Sequence, residues 1–154
     1  MEREYEYRIG TDADAHSPFR RPYEWALDLP LDTASLLRTA GRLLGEHDFL
    51  AFSVKGSFRP HTRCRVRLAR WEPRSDHEGV RLRIAADRFL HHMVRMLVGT
   101  MVDVALGRRA ETDMDLLLAR DPRVRTSPPA PPQGLYFVMA RYPEEWFSLP
   151  EVAA

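Results

Sequence analysis

The sequence predicts an α+β fold: an antiparallel sheet with helices packed on one face. Three observations predict it. Residues 62–68 and 80–85 each alternate apolar side chains with arginines, the pattern of paired strands with one buried and one wet face. Residues 88–106 are apolar almost all round, with the few polar residues at helical spacing, so they form a helix buried on most sides. Strands and helices also separate into blocks, and the 154 residues contain no internal repeat or domain linker.

The elements follow in order. Residues 3–9 alternate around Tyr5 and Tyr7 and read as a strand. Asp12 to Arg21 is polar, contains Pro18 and reads as a loop. Pro22 to Leu29 reads as a short strand. Asp32 to Leu44 is expected to be a helix, with Asp32 as N-cap, Leu36, Leu37, Ala40, Leu43 and Leu44 at helical spacing, and Gly45 as its stop. The hairpin places Cys64, Val66, Leu68, Val80, Leu82 and Ile84 on its apolar face, with Pro73 to Gly79 as the turn. A second helix is expected at about 112–120, opened by a Thr112-x-x-Asp115 capping box. Ser127 to Gly134 is fixed as extended chain by its prolines, and Leu135 to Arg141 forms the last strand.

Composition narrows the class. The length suits one domain with an ordinary core. No window approaches a membrane-spanning apolar run, and the charged Met1-Glu-Arg-Glu start is not a signal peptide. The lone cysteine, Cys64, suits a reducing cytoplasm and, by its phase, faces the apolar side. Net charge is +1, so any nucleic-acid binding must rest on local basicity. The cations are nearly all arginine, with Lys55 the single lysine. Arg63, Arg65, Arg67, Arg81 and Arg83, flanked by Arg59 and Arg70, form the best basic patch; it is a solvated strand face, a surface for RNA phosphates, or a face partly covered by further chain.

On the long helix, Arg88, His92, Arg95, Gly99 and Asp103 recur three or four residues apart and share one stripe. An arginine there either reaches solvent at a rim or is held by an acidic partner, because an unpaired buried charge is costly. Gly99, one turn beyond Arg95, permits a close approach by another part of the chain. Tyr5 and Tyr7 share a strand face, either as ordinary half-buried strand residues or as a platform for an unstacked base. His91 and His92 are adjacent and, on a helix, diverge too far to chelate one ion, and no third ligand stands at metal spacing; no metal is expected.

Four motifs occur in one order: Arg3-Glu-Tyr5-Glu-Tyr7, Gly45-Glu-His-Asp48-Phe49-Leu-Ala-Phe52, Phe89-Leu-His-His-Met-Val-Arg95-Met-Leu-Val-Gly99, and Gly134-Leu-Tyr-Phe-Val138 with Tyr142-Pro143. Together they resemble the C-terminal portion of the tRNA pseudouridine synthase A (TruA) family. The resemblance implies isomerisation of uridine to pseudouridine in the tRNA anticodon stem-loop, without cofactor, by a cytoplasmic homodimer. It implies that Tyr5 contacts the target base, with its phenol a candidate proton acceptor, and that Arg95 pairs with the catalytic aspartate. The family pattern has asparagine where this chain has Asp87 and Met96. The nucleophile of the family lies in a Gly-Arg-Thr-Asp-Ala-Gly-Val-His motif upstream of the tyrosine strand, and that motif does not occur in these 154 residues. Thr11-Asp12-Ala13-Asp14-Ala15-His16 imitates it, but follows Tyr5 and has Gly10 in place of the arginine and Asp14 in place of the glycine; Asp12 is therefore read as a turn residue. The expectation is a single domain over 1–154 that corresponds to the C-terminal half of the enzyme, without the aspartate-bearing half. The alternative is a non-catalytic RNA-binding or partner-binding remnant that associates with a separate catalytic half.

Overall fold

The computed structural model describes residues 1–54 and 61–148; Lys55 and Arg59 lie outside the described residues. Six strands are present among them: β1 (Glu2–Gly10), β2 (Trp25–Ala26), β3 (Gly45–Asp48), β4 (Arg63–Pro73), β5 (Gly79–Ala86) and β6 (Leu135–Arg141). The α-helices are α1 (Thr33–Gly41), α2 (Met93–Ala105) and α3 (Thr112–Leu118). The sheet runs β2-β1-β5-β4-β3, and β6 pairs with β1. All pairings are antiparallel except β1 with β2, a parallel contact through Ile9 and Gly10. The α+β expectation thus holds, with that one short parallel pair making the sheet mixed.

Burial explains the layers. Tyr7, Ile9, Leu82 and Ile84 on the sheet, Leu36 and Leu43 from the α1 region, and Leu97 and Met101 of α2 are fully buried in one core. The Asp32 carboxylate caps α1 as expected, accepting from the Ala34 and Ser35 amides at 3.1 and 3.3 Å. Leu37 and Leu44, expected in the core, are instead about half exposed, at 52% and 48%. The helix stops at Gly41 rather than at Gly45; Gly45, at φ +93°, opens β3.

Three further boundaries differ from expectation. The strand β3 is short, polar and at the sheet edge, so it carries no apolar alternation. A bulge between Val66 and Leu68 shifts the β4 register, leaving Leu68 half-buried and giving the core position to Trp71. The capping box of α3 does not form: Glu111 holds the N-cap position without a side-chain cap bond, its carboxylate bonds Arg38, and Asp115 pairs with Arg42 across to the α1 end.

An ionic cluster built round the buried Glu24 closes the far end of β1. Arg20 holds Asp12 through two hydrogen bonds, at 2.6 and 2.9 Å, and also meets Glu24 at 2.8 Å. Arg74 pairs with the same Glu24 and with Asp76. The Arg20 hydrogen bonds hold the Asp12 carboxyl below its ordinary value, and the Arg74 hydrogen bonds do the same for Asp76. Carboxyls so depressed protonate in the unfolded chain first. Their stabilisation is therefore complete above the unfolded value near ~4 and is lost as pH falls through the lower folded values. Acid titration of the melting temperature should show a decline below about pH 4, shallower in Asp12→Asn.

Candidate functional site

The candidate site is a cleft of about 290 Å³ lined by Tyr5, Phe89, Leu90, His92, Arg95 and Leu135, among others. It brings together residues far apart in the chain, because β1 lies beside β6 and the start of α2 closes over them. The β1–β6 register shifts between Glu4 and Tyr5, so that Glu4 opposes Met139 while Tyr5 opposes Phe137. That irregularity seats Tyr5 against Phe137. The Tyr5 ring meets Phe137 edge-on at 5.5 Å and Phe89 at 5.1 Å, so two aromatic neighbours fix its plane.

The helix of residues 88–106 starts later than its apolar pattern suggests. Residues 88–92 form the approach to α2, and His92 takes a left-handed conformation (φ 62°) as its N-cap. Arg88 and His92 therefore leave the expected helical stripe, while Arg95, Gly99 and Asp103 keep it. His91 and His92 do not diverge as helix neighbours would; their rings stack at 4.0 Å. Partial desolvation, then the nearby His91 and Arg95, hold the His92 imidazole below its ordinary value. A left-handed non-glycine residue is a strained conformation of the kind found at functional sites. His92 lines this cleft and also a second groove with Met96 and Leu117. Sequence reading missed its role because a positive φ leaves no mark on residue type.

Asp87, where the family motif has asparagine, ends β5 by accepting the Arg65 amide at 2.8 Å, while its own amide donates to the Arg65 carbonyl at 3.1 Å. An asparagine oxygen could accept the same bond. Met96 is half-buried at the second groove.

Arg95 is half-buried. Its Nε donates to the Ala130 carbonyl at 2.7 Å. Among the described residues, no carboxylate forms an ion pair with it. Tyr7 is fully buried and donates its hydroxyl to the Pro131 carbonyl at 2.6 Å. Burial pushes the Tyr7 phenol well above the ordinary tyrosine value, with Arg95 opposing. Tyr7 is accordingly a hydrogen-bond donor and no proton acceptor at neutral pH.

The arginine face looks different once its neighbours are in place. Arg63 and Arg65 meet Glu46 at 2.9 and 3.2 Å, and Arg67 meets Glu2 at 3.6 Å. Arg81 meets Glu72 and Glu6 at 3.1 and 3.6 Å, and Arg83 meets Glu4 at 2.7 Å. The face presents alternating charge and lacks the uninterrupted positive field of a phosphate-tracking groove. The signal was present in Glu2, Glu4 and Glu6, which alternate with the tyrosines of β1 and so share the face of Arg81 and Arg83 once β1 pairs with β5.

Asp12 sits away from the cleft. Five strand residues carry the chain from Tyr5 to Gly10, about 17 Å at the usual rise, and Asp12 lies beyond. Its carboxylate is already engaged by Arg20.

Fold and cleft together define an α+β domain that presents an oriented aromatic beside an arginine with no acidic partner among the described residues. A family model described as tRNA pseudouridine synthase matches residues 39–143. The chain is 38% identical to tRNA pseudouridine synthase A of Myxococcus xanthus, over 85% of this chain and 49% of that relative. It is 35% identical to tRNA pseudouridine synthase A of Xanthomonas euvesicatoria, over 97% of this chain and 57% of the relative. Against tRNA pseudouridine synthase A 1 of Protochlamydia amoebophila the identity is 32%, over 94% and 57%. The chain belongs to the tRNA pseudouridine synthase family. It spans about half the length of the curated relatives it matches.

Proposed function

We propose that this chain is the Tyr5- and Arg95-bearing part of a tRNA uridine-to-pseudouridine isomerase, and that the nucleophilic aspartate comes from sequence outside these residues. One observation carries the reading: Arg95 and Tyr5 line the same cleft, and Arg95 has a carboxylate on none of its nitrogens among the described residues. A carboxylate nucleophile must stay ionised in a site that expels water, and a guanidinium beside it favours the charged form. The two terminal nitrogens of a guanidinium match a carboxylate bidentately. Tyr5, braced by Phe89 and Phe137, would hold the uracil while it leaves the sugar, turns and rejoins through carbon.

The β6 edge supports the assembly part of the reading. Phe137, Val138 and Met139 on that edge are 58%, 44% and 37% exposed. An apolar edge strand is a surface for pairing with further chain. A polypeptide seated there would lie beside Phe137 and so beside the cleft. The anticodon stem-loop as target, a homodimer and a cytoplasmic setting belong to the same proposal, on the strength of the family likeness.

The test is tritium release from tRNA labelled at uridine C5. The chain mixed with a polypeptide carrying the family's Gly-Arg-Thr-Asp-Ala-Gly motif should release tritium, and the chain alone should not. Turnover by the chain alone that is abolished in Asp12→Ala would sink the reading.

A further inference from the structure

The segment Ser127-Pro-Pro-Ala-Pro-Pro-Gln-Gly134 connects the last helix to β6 and enters no strand pairing itself. Between Ser127 and Gln133 only Ala130 has a backbone N–H, because the other four residues are proline. That N–H donates to the Arg95 carbonyl at 2.9 Å. The Ala130 carbonyl in turn accepts the Arg95 Nε at 2.7 Å. Ala130 therefore grips Arg95 at both its backbone and its side chain. The next carbonyl, that of Pro131, accepts the Tyr7 hydroxyl at 2.6 Å. Two residues before Ala130, the carbonyl oxygen of Pro128 lies only 2.1 Å from where a Cβ on Gly99 would stand. The Ser127 amide donates to the Thr100 hydroxyl at 3.2 Å, and Gly134 lies so close to the Tyr7 ring that a Cβ there would be 2.6 Å from Cζ. Every one of these contacts joins the strap to α2 or to β1, the two elements that carry Arg95 and Tyr5.

We propose that the proline strap 127–134 is the positioning element of the site, and that Tyr7 is its anchor: Tyr7 holds Pro131, and Ala130 thereby holds the Arg95 guanidinium with both terminal nitrogens uncommitted among the described residues. This rests on the reading of Arg95 as the cation that receives a carboxylate. Tyr7 and Ala130 touch neither base nor carboxylate; they are positioning residues. A long side chain tethered at Nε loses most of its freedom before any ligand arrives, so less ordering remains when a carboxylate binds. The prolines serve the same end, since an extended proline-rich chain has few other conformations to adopt.

The test follows the Arg95 Nε–H in the ¹⁵N-labelled chain, its signal assigned by its loss in Arg95→Lys. Exchange of that proton with solvent and its response to added acetate are measured in the parent, in Tyr7→Phe and in Ala130→Pro. The second variant removes the N–H, adds a pyrrolidine ring in its place and keeps the carbonyl. In each variant exchange at Arg95 should accelerate about tenfold or more, a fold-change of the size expected for one lost hydrogen bond. Acetate should bind severalfold more weakly, while β5 amides such as that of Leu82 exchange as in the parent. Unchanged exchange at Arg95 in both variants, with acetate still perturbing it, overturns the strap and leaves the carboxylate reading standing. Faster exchange in the variants, with no acetate response in the parent, overturns the carboxylate reading and leaves the mechanical link intact. Loss of folding in both variants also overturns the proposal, because the strap would then be holding the fold rather than one side chain.

Discussion

Gly99→Ala should destabilise the domain by about 1–3 kcal/mol, the range for forcing an extra methyl into a closed core. Helix propensity alone argues the other way, since alanine is better than glycine by up to about 1 kcal/mol in a helix interior. The distances decide between them. A Cβ at Gly99 would stand 2.1 Å from the Pro128 carbonyl oxygen and 3.3 Å from the Ala130 nitrogen. Both atoms are backbone, in a segment whose prolines leave it little room to yield. Gly41 supplies the control: it ends α1, and a Cβ there would meet nothing within 4 Å. Gly41→Ala should therefore stabilise by roughly 0.5–1 kcal/mol. Urea unfolding midpoints of the two variants should move in opposite directions. A Gly99→Ala midpoint at or above that of the parent would refute the close-approach argument.

Arg95→Lys should lower turnover of the assembled enzyme about 10²–10³-fold, the scale for losing one preorganised charged contact in an active site. Lysine keeps the charge but offers a single nitrogen. It cannot bond the Ala130 carbonyl and also present a planar fork to a carboxylate. The substitution separates charge from geometry: if positive charge were all that mattered, turnover would be nearly unchanged. Tritium release from labelled tRNA reads this directly, and circular dichroism checks that the fold is intact.

Much of the scaffold is legible in the sequence because it follows from periodicity. The β4 and β5 alternation, the apolar run of α2 and the Asp32 cap each express a local rule. Gly99 is legible too, since a glycine on a buried helix calls for a close neighbour, and Pro128 is that neighbour. What escapes is set by contacts between distant segments. The start of α2 depends on a left-handed His92 rather than on apolar spacing. Asp115 leaves its capping position because Arg42 lies within reach across the helix pair. Of the glutamates that meet the arginine face, Glu2, Glu4 and Glu6 sit on β1, Glu46 on β3 and Glu72 on β4, and it is strand pairing that brings them to it. The site divides in the same way: Tyr5 and Arg95 are readable as family motifs, whereas the grip of Ala130 on Arg95 depends on a proline segment that looks like a mere connector.

The alternating charge on the open sheet face has a directional consequence. Each arginine there lies within a few ångströms of a glutamate, so the fields cancel over distances comparable to the screening length of about 8 Å at physiological salt. A polyanion approaching from that side meets a wet surface that is electrically quiet. From the cleft side it meets Arg95, a guanidinium whose charge no neighbouring carboxylate offsets among the described residues. Toward a polyanion the domain thus has a silent side and a responsive one.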